Sequence, residues 1–441
     1  MDSVELADRA QPYAAELEAK ELPPTDRGRG AYSFLLAALL LETFVFGFSY
    51  SYSSILVYFE SHDPWQKQSI SALSAVGTTQ LGMQFILPIF FVNAARRYPD
   101  YVKPALWVST FITSGAYLIA SWTTKAEHLI VLLGVIGGTA NAVLFTPVWY
   151  LLSQWFVVRR GFAYGVIVSG IGLGGLIFPF ILDGLLKAGG FALMARVWAG
   201  VQLAVFSTST LLIKPRIPAV KPAEGGRSPW LAVDLSFLKK PIFILTAIAS
   251  VLSSLSYLPV ALFLPVYTSA FTTSSFQQNL VLSIFNLFAA IGSALSGRVA
   301  DWSYSTLIIA CGALSALVSL TAWGLADSLA KVYGFAVLFA LTSQSVPSWS
   351  GAAGDLAQGN SNTATMVLCF FSVVRGIGSI VLPFVADKLV DTKQLHKEES
   401  WGSFGFQKTI VFVGITAALS GLAGLGLIWA RKSALASGRR N

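Results

Sequence analysis

The stretch Gly161–Leu186 reads GFAYGVIVSGIGLGGLIFPFILDGLL, and it decides the fold class. It contains one charged residue, Asp183. A hydrocarbon core about 30 Å thick needs roughly 20 apolar residues of helix, so this stretch is long enough to cross a membrane. Its backbone polar groups must then pair within the segment, because lipid offers them no partner. We therefore predict a transmembrane helix here.

The pattern of this stretch returns about 200 residues later in the chain. Gly170–Asp183 (GIGLGGLIFPFILD) and Gly376–Asp387 (GIGSIVLPFVAD) both begin with GIG and end with PF, two residues and Asp. In the same way, Pro147–Trp149 (PVW) matches Pro347–Trp349 (PSW). The matches fall on equivalent segments of two halves, which is typical of transporters built from parallel repeats.

Twelve long apolar stretches flank a basic central loop, six on each side. They are residues 31–59, 69–93, 104–122, 128–153, 161–186, 191–213, 241–270, 277–299, 305–325, 332–354, 364–390 and 409–430. We predict an all-α membrane protein with 12 transmembrane helices in two pseudo-symmetric six-helix bundles. The predicted parts are a disordered cytoplasmic tail 1–30, an N-terminal bundle 31–213, a cytoplasmic linker 214–240, a C-terminal bundle 241–430 and a cytoplasmic tail 431–441.

Composition and charge placement support a membrane protein and give its orientation. The chain is 54% hydrophobic and 12% charged, about half the charged share of a soluble domain. If the N-terminus is cytoplasmic, the cytoplasmic side holds 20 of the 30 Lys and Arg residues and the other side holds nine. The positive-inside rule therefore predicts that both termini are cytoplasmic, and we expect the plasma membrane. This bias accounts for the net charge of +8 without a nucleic-acid partner.

Three motifs carry a resemblance to a known family. Trp155–Gly174 (WFVVRRGFAYGVIVSGIGLG) combines an aromatic pair, a basic cluster and Ala and Gly at helical spacing. Together with Gly47–Tyr50 (GFSY), it resembles the signatures of monocarboxylate porters, a branch of the major facilitator superfamily, and is most similar to fungal members. Gly297–Asp301 (GRVAD) resembles the Gly-x-x-x-Asp motif of that superfamily. The resemblance implies a major facilitator fold and transport.

The sequence departs from that branch where lactate carriers bind their substrate. Animal lactate carriers have a lysine late in the first span and an Asp/Arg pair in the eighth. Here Ser51–Ile55 and Asn286–Ser293 contain no charge. The lactate chemistry therefore does not carry over, and the fold alone leaves the substrate open.

Two charged residues lie deep inside predicted spans. Glu42 and Arg375 each lie about eleven residues into their span, near the bilayer midplane at 1.5 Å per residue. Burying either charge costs several kcal/mol unless it is solvated or paired. One interpretation is that Arg375 attracts an anionic group of the substrate while Glu42 carries a proton. The other is an ion pair that only stabilises the bundle.

Further candidates fall into three groups. Polar and aromatic residues that could line a central cavity are Tyr50, Tyr52, Asn141, Trp149, Asn286 and Trp349. The Tyr and Trp side chains could instead anchor the membrane interface, and for the tryptophans the two interpretations are equal. Loop residues that could form an inside gate, or could only set orientation, are Arg159, Arg160, Arg298 and Asp301. The glycines of the fifth span are expected to allow close helix packing.

Other function classes fit the sequence less well. Its three histidines, His62, His128 and His396, are far apart and show no metal-ligand spacing. No lysine follows a glycine, so a Walker A loop is absent. The sequence also contains no loop that resembles the selectivity filter of a channel. We expect no enzyme activity, no cofactor and no metal.

The expected function is secondary active transport of a small organic solute that bears a carboxylate. We expect the transport to be coupled to protons and the protein to be a monomer. The alternatives are an efflux transporter of a fungal secondary metabolite and a non-transporting membrane receptor.

Overall fold

The computed structural model describes residues 22–217, 235–272, 274–389 and 401–438. Over these ranges the regular structure is helical and contains no strand, which confirms the predicted all-α class. Most of the predicted linker and N-terminal tail, and the last three residues of the C-terminal tail, lie outside the described residues.

The described ranges contain twelve membrane helices, α1–α12. In the first half these are α1 (Gly28–Glu42, a π-helical Thr43–Gly47, Phe48–Tyr50 and Tyr52–Ser61), α2 (Ile70–Ile86 and Pro88–Arg97), α3 (Val102–Ala120), α4 (Ala126–Leu129, π-helical Ile130–Gly137, Gly138–Trp155), α5 (160–188) and α6 (191–212). In the second half they are α7 (Pro241–Ser269), α8 (275–302), α9 (304–318 and π-helical Ser319–Trp323), α10 (Leu329–Thr342 and Ser348–Ala357), α11 (Ser361–Leu389) and α12 (Gln407–Gly438). Short 3-10 turns occur at Trp65–Lys67, Pro99–Tyr101 and Leu235–Lys239.

Two continuous runs of helix are each too long for one crossing. Arg160–Leu212 has 53 residues, about 80 Å at 1.5 Å per residue, against a core of about 30 Å. Its backbone leaves the helical region at Gly190, where φ is 68° and ψ is −170°, a conformation that glycine adopts without a steric cost. Ser275–Val318 breaks at the extended Ser303. Each run therefore makes two crossings.

Six of the described helices are long and apolar enough to span a membrane, or seven with the bent pair of α2. Both double-length runs are counted once in that total. Splitting each of these two runs at its break turns the six helices into eight. The remaining four of the twelve helices are α2, α3, α10 and α11. The protein is an integral membrane protein.

The helix ends fall on two sides. One side, called here the terminal side, carries the start of α1: the Asp26 amide donates to Trp155 O (2.9 Å), and the Trp155 indole donates to Lys214 O (3.0 Å). On the opposite side, called the far side, the Gln68 amide donates to Thr124 O (2.6 Å).

The two halves meet along two seams. In the first, α5 crosses α8 with glycine against glycine: a Cβ on Gly161 would lie 2.7 Å from Gly297 O. In the second, α2 meets α11: Ser372 Oγ donates to Phe85 O at 3.2 Å, and a Cβ on Gly376 would lie 2.8 Å from Phe85 Cβ. A shift of six helices converts α2 into α8 and α5 into α11, so the seams are equivalent positions of the sequence repeat.

Candidate functional site

Glu42 lies at the turn of α1 where the α-helix becomes π-helical. Such one-turn π segments are frequent at functional sites. The side chain is 5% exposed, and its Oε2 atom is buried without a hydrogen-bond partner among the described residues. This oxygen can therefore accept a proton without losing a hydrogen bond.

Arg375 approaches Glu42 from the other half of the protein. It lies on α11, is 8% exposed, and its charge is within electrostatic range of the Glu42 carboxyl. The structure thus brings together the two deep charges that the sequence places in different halves. Charges of opposite sign attract more strongly in this low-dielectric interior than in water.

Two tyrosines, the buried Tyr164 and the half-buried Tyr257, extend the cluster onto α5 and α7. Tyr164 is within electrostatic range of both Glu42 and Arg375. Tyr257 lies near Arg375, Tyr50 and Gln344. Tyr50 Oη is buried without a partner within the described ranges. Side chains from both halves therefore surround one buried, polar centre.

Aromatic rings close this centre on its terminal side. The Tyr164 ring lies between Trp149, at 5.7 Å, and Trp349, at 6.4 Å. The Trp349 indole donates to Ser250 Oγ at 2.8 Å, whereas Trp149 Nε1 is buried without a partner in the described structure.

The depth of these rings follows from helix geometry. Trp155 packs against Gly30 of α1, and Glu42 lies twelve residues beyond Gly30, about 18 Å. Trp149 lies six residues before Trp155 on α4, about 9 Å deeper from the terminal side. The rings therefore form a floor between the charged centre and the terminal side.

The two halves are joined below this floor by Asp301. Its Oδ1 accepts a hydrogen bond from the Gly161 amide (2.5 Å), and its Oδ2 accepts one from the Phe162 amide (2.9 Å). These amides lie at the N-terminus of α5, where unpaired N–H groups and the helix dipole favour a negative charge. A Cβ on Gly297 would lie within van der Waals overlap of Gly161 O. Only glycines at this crossing allow Asp301 to reach α5.

A cavity of about 430 Å³ opens beside this contact on the terminal side. Ser153, Val158, Arg160, Asp301 and Gly354 are among its lining residues, so both halves contribute. The guanidinium of Arg160 lies within electrostatic range of the carboxylates of Asp26 and Asp301. Asp26 also accepts hydrogen bonds from the amides of the loop 157–159.

The remaining predicted residues lie elsewhere. Asn286 Nδ2 donates to Gly175 O (3.1 Å) at the α5–α8 seam. The Tyr52 hydroxyl donates to Leu73 O (2.9 Å), and Asn141 Oδ1 accepts from Thr113 Oγ1 (3.1 Å), both within the first half.

The predicted gating arginines differ in their surroundings. The Arg159 amide, rather than its guanidinium, donates to Asp26. Arg298 is exposed, and among the described residues no hydrogen bond to its side chain is present. Its gating role stays a prediction.

Three members of the centre were not singled out from the sequence. Tyr164 lies inside the quoted glycine-rich stretch, and Tyr257 lies in an apolar span. Gln344 lies in the polar run 343–345, which interrupts α10 between Thr342 and Ser348. Polar side chains inside a span usually serve function, so this run was the available signal.

Comparison with known proteins agrees with this arrangement. Residues 32–383 match the family model of the Major Facilitator Superfamily. The chain is 28% identical over 291 residues to the MFS-type transporter pytF of Aspergillus terreus, covering 65% of this chain and 95% of that protein.

Two relatives have names that state a role. The Fujikurins efflux protein of Gibberella fujikuroi is 26% identical, over 76% of this chain and 71% of its own length. The Agnestins efflux protein AgnL12 of Paecilomyces divaricatus is 24% identical, over 84% and 86% respectively. The chain therefore belongs to the Major Facilitator Superfamily and is a membrane transporter of that family.

Proposed function

We propose that this transporter moves an acidic small organic metabolite together with a proton, and that it serves in efflux. The observation that carries the proposal is the buried pair of opposite charges, Glu42 and Arg375, at the centre between the halves. The substrate carboxylate binds to Arg375, Glu42 carries the proton, and the surrounding aromatic side chains contact the apolar body of the substrate.

Competition for Arg375 links the two ligands. While Glu42 is ionised, its carboxylate and a substrate carboxylate compete for the same guanidinium, and two anions in one buried site repel each other. Protonation of Glu42 removes this repulsion, and its partnerless Oε2 atom is positioned to take the proton. Proton and anion therefore bind together, which is co-transport rather than exchange.

Alternating access follows from the contacts on the terminal side. The Asp301 contact with α5 and the aromatic floor hold that side shut in this conformation. Release of the terminal side needs both to separate, which the narrow glycine crossing of α5 and α8 permits as a rocking motion. Solute then enters from the terminal side and leaves from the far side.

The efflux direction and the subtype rest on relatives and motifs. Relatives of 24% and 26% identity are named as efflux proteins for fujikurins and agnestins. In a co-transporter the direction of net flux is set by the two gradients, so a metabolite that accumulates inside is exported. The glycine-rich stretch of α5 supports a monocarboxylate-porter-like subtype, with a substrate different from lactate.

The test compares metabolites inside and outside cells that lack this chain with cells that carry the wild-type chain, Arg375→Gln or Arg375→Lys. Loss of the chain is expected to trap one or more organic acids inside the cell. The wild-type chain restores export, Arg375→Gln does not, and Arg375→Lys, which keeps the charge, restores it in part. Full export by Arg375→Gln would refute the anchoring role.

Proton coupling is then measured with the trapped acid in vesicles that contain the purified protein. A pH gradient is expected to drive wild-type uptake of the acid. With Glu42→Gln, exchange of labelled for unlabelled acid continues, but the gradient no longer drives accumulation. Accumulation by Glu42→Gln equal to that of wild type would contradict the proton role, and binding without any flux would indicate a receptor.

A further inference from the structure

A second cavity lies away from the central site, between the terminal-side parts of α2, α3 and α4. Its volume is about 610 Å³. Its lining is almost entirely apolar, and the residues are Phe91, Ala94, Ala95, Tyr98, Tyr101, Val102, Ala105, Leu106, Val143, Thr146 and Pro147. Most of them are half-buried, and Tyr101 is exposed, so the cavity is a groove with an open side.

The groove has a structural cause. The two parts of α2 are bent by 42° at Leu87–Pro88, because proline cannot donate the backbone hydrogen bond that a straight helix needs there. Small side chains at Ala94, Ala95 and Ala105 leave the wedge below the bend unfilled. A void of this size is rare in a closed protein interior, so an open groove of this size is suited to hold a ligand.

The mouth of the groove is basic. Residues 96–103 hold three basic residues, Arg96, Arg97 and Lys103, and one acidic residue, Asp100. The Arg97 guanidinium lies 5.8 Å from the centre of the Tyr98 ring, which itself lines the groove.

Arg96 and Lys103 differ in the hydrogen-bond partners that the protein gives them. Arg96 Nη1 is buried and has no hydrogen-bond partner in the described ranges, although Tyr150 lies nearby. Lys103 donates to Thr210 O on α6 instead and so points away from the groove. Lys103 therefore does not face a ligand in the groove, whereas Arg96 keeps a buried N–H group that no described acceptor satisfies.

We infer that this groove binds one anionic phospholipid of the membrane leaflet on the terminal side. One acyl chain fills the apolar groove, and the phosphate lies at Arg96 and Arg97. Basic pockets between membrane helices bind anionic headgroups in this way. A zwitterionic lipid supplies the same chain but adds a cation beside the two arginines, so charge complementarity selects the anionic class.

The site is placed to act on the transport cycle. The lower part of α2, Pro88–Arg97, contacts both the groove and α11 of the other half. A lipid that fills the groove fixes the bend of α2 and so stabilises one arrangement of the α2–α11 seam. Anionic lipid is therefore expected to raise the melting temperature of the protein and to alter the rate of transport.

Binding is tested on the purified full-length chain by native mass spectrometry and thermal unfolding, with phosphatidylglycerol and phosphatidylcholine of identical chains. We expect wild type to retain phosphatidylglycerol and to be stabilised by it more than by phosphatidylcholine. Ala94→Phe fills the groove and should abolish the difference. Arg96→Gln combined with Arg97→Gln should weaken retention about fivefold for each charge removed.

The matched control is Lys239→Gln combined with Lys432→Gln, which removes two exposed charges from the terminal side of the other half and should leave retention unchanged. Equal retention of both lipids would show that the groove recognises only the acyl chain and not the headgroup, and would overturn the inference. An apolar solute that enters the groove from the side would give the same result. Unchanged retention in both groove variants would overturn it as well. Because one variant changes volume and the other charge, misfolding of one leaves the other decisive.

Discussion

Asp301 of the second half joins the two halves through hydrogen bonds to its two carboxylate oxygens. Both carboxylate oxygens accept amide hydrogen bonds at the start of α5, one at 2.5 Å and one at 2.9 Å. Hydrogen bonds to a charged group contribute about 1.5–3 kcal/mol each. In the alternating-access cycle proposed here, this contact breaks when the terminal side opens, so it would stabilise the shut state relative to the open one.

Replacing Asp301 by Asn should shift the protein toward opening on the terminal side. The substitution keeps one acceptor oxygen but removes the charge and the second acceptor, so we expect a change of about tenfold in the ratio of shut to open protein. The measurement is the labelling rate of Ser153→Cys, which lines the terminal-side cavity and is 7% exposed, with a water-soluble maleimide in detergent. The two native cysteines, Cys311 and Cys369, are buried and give a low background.

The control for this prediction is Asp183→Asn on the far side. Asp183 pairs with Lys187 at 2.6 Å, but both side chains are more than half exposed, so the pair contributes little. Its loss should leave the labelling rate unchanged. An Asp301→Asn variant that labels as slowly as wild type would show that the contact does not hold the terminal side shut.

The two charged residues of the central site could be predicted from the sequence, whereas the tyrosines beside them could not. Glu42 and Arg375 stand out because a charge in a span is costly, and their depth predicted that they meet. Tyr164 and Tyr257 carry no such cost, since a tyrosine is common both in cores and at interfaces. Their inclusion depends on which face of α5 and α7 turns inward, which one sequence does not specify.

At the scale of elements, α5 is the helix on which both halves depend. One row of its glycines packs on α1: a Cβ on Gly170 would lie 2.9 Å from Leu39 O. Another row packs on α8: a Cβ on Gly172 would lie 2.5 Å from Asn286 O. The glycine spacing predicted close packing and the structure confirms it, but the partner helices could not be predicted from the spacing alone.

Helix breaks were predicted unevenly. The Gly189–Gly190 break between α5 and α6 follows from the length of the apolar run. The interruption of α10 at 343–347 and the π-helical turn at Thr43–Gly47 were not predicted. Both occur inside predicted spans, where tertiary contacts as well as hydrophobicity decide the local hydrogen-bond pattern.

Two Gly→Ala substitutions in α5 should have opposite effects. A Cβ at Gly165 would lie closer than 3.0 Å to Ser293 O and to Gly297 Cα, both backbone atoms that cannot move aside. Gly165→Ala should therefore cost about 1–3 kcal/mol of stability, as overpacking does, and reduce transport. Gly184→Ala meets no atom within 4 Å and should be neutral or stabilising by about 0.5–1 kcal/mol, because alanine favours helix.

The measurement is the melting temperature of each purified variant, together with its transport rate. Wild-type stability and transport in Gly165→Ala would mean that α5 and α8 are farther apart than the structure has them. A loss in Gly184→Ala as large as that in Gly165→Ala would show that any added methyl group disturbs α5, and the seam would not be the cause.

At the scale of the whole molecule, the alternating-access cycle proposed here has the halves separate on the terminal side. The described contacts between halves there are short and local: the Asp301 bonds, the ring contact of Tyr164 with Trp349, and the hydrogen bond from Thr365 Oγ1 to Trp149 O at 3.4 Å. Contacts of this size can break and re-form within one transport cycle, since each contributes only a few kcal/mol.

A link across the terminal-side cavity should therefore stop transport without unfolding the protein. Val158 is 78% exposed on the first half, Gly354 lies on the second, and both line the cavity. A Cβ on Gly354 makes only an ordinary contact, at 3.5 Å to Arg160 Nη1, so a cysteine fits there. In Val158→Cys combined with Gly354→Cys, a cleavable bismaleimide should abolish flux, and cleavage should restore it. Each single variant, treated in the same way, should keep its flux, because a reagent attached at one end bridges nothing. Undiminished flux in the linked double variant would mean that solute crosses without separation of the halves on this side, and the alternating-access cycle proposed for this protein would be wrong.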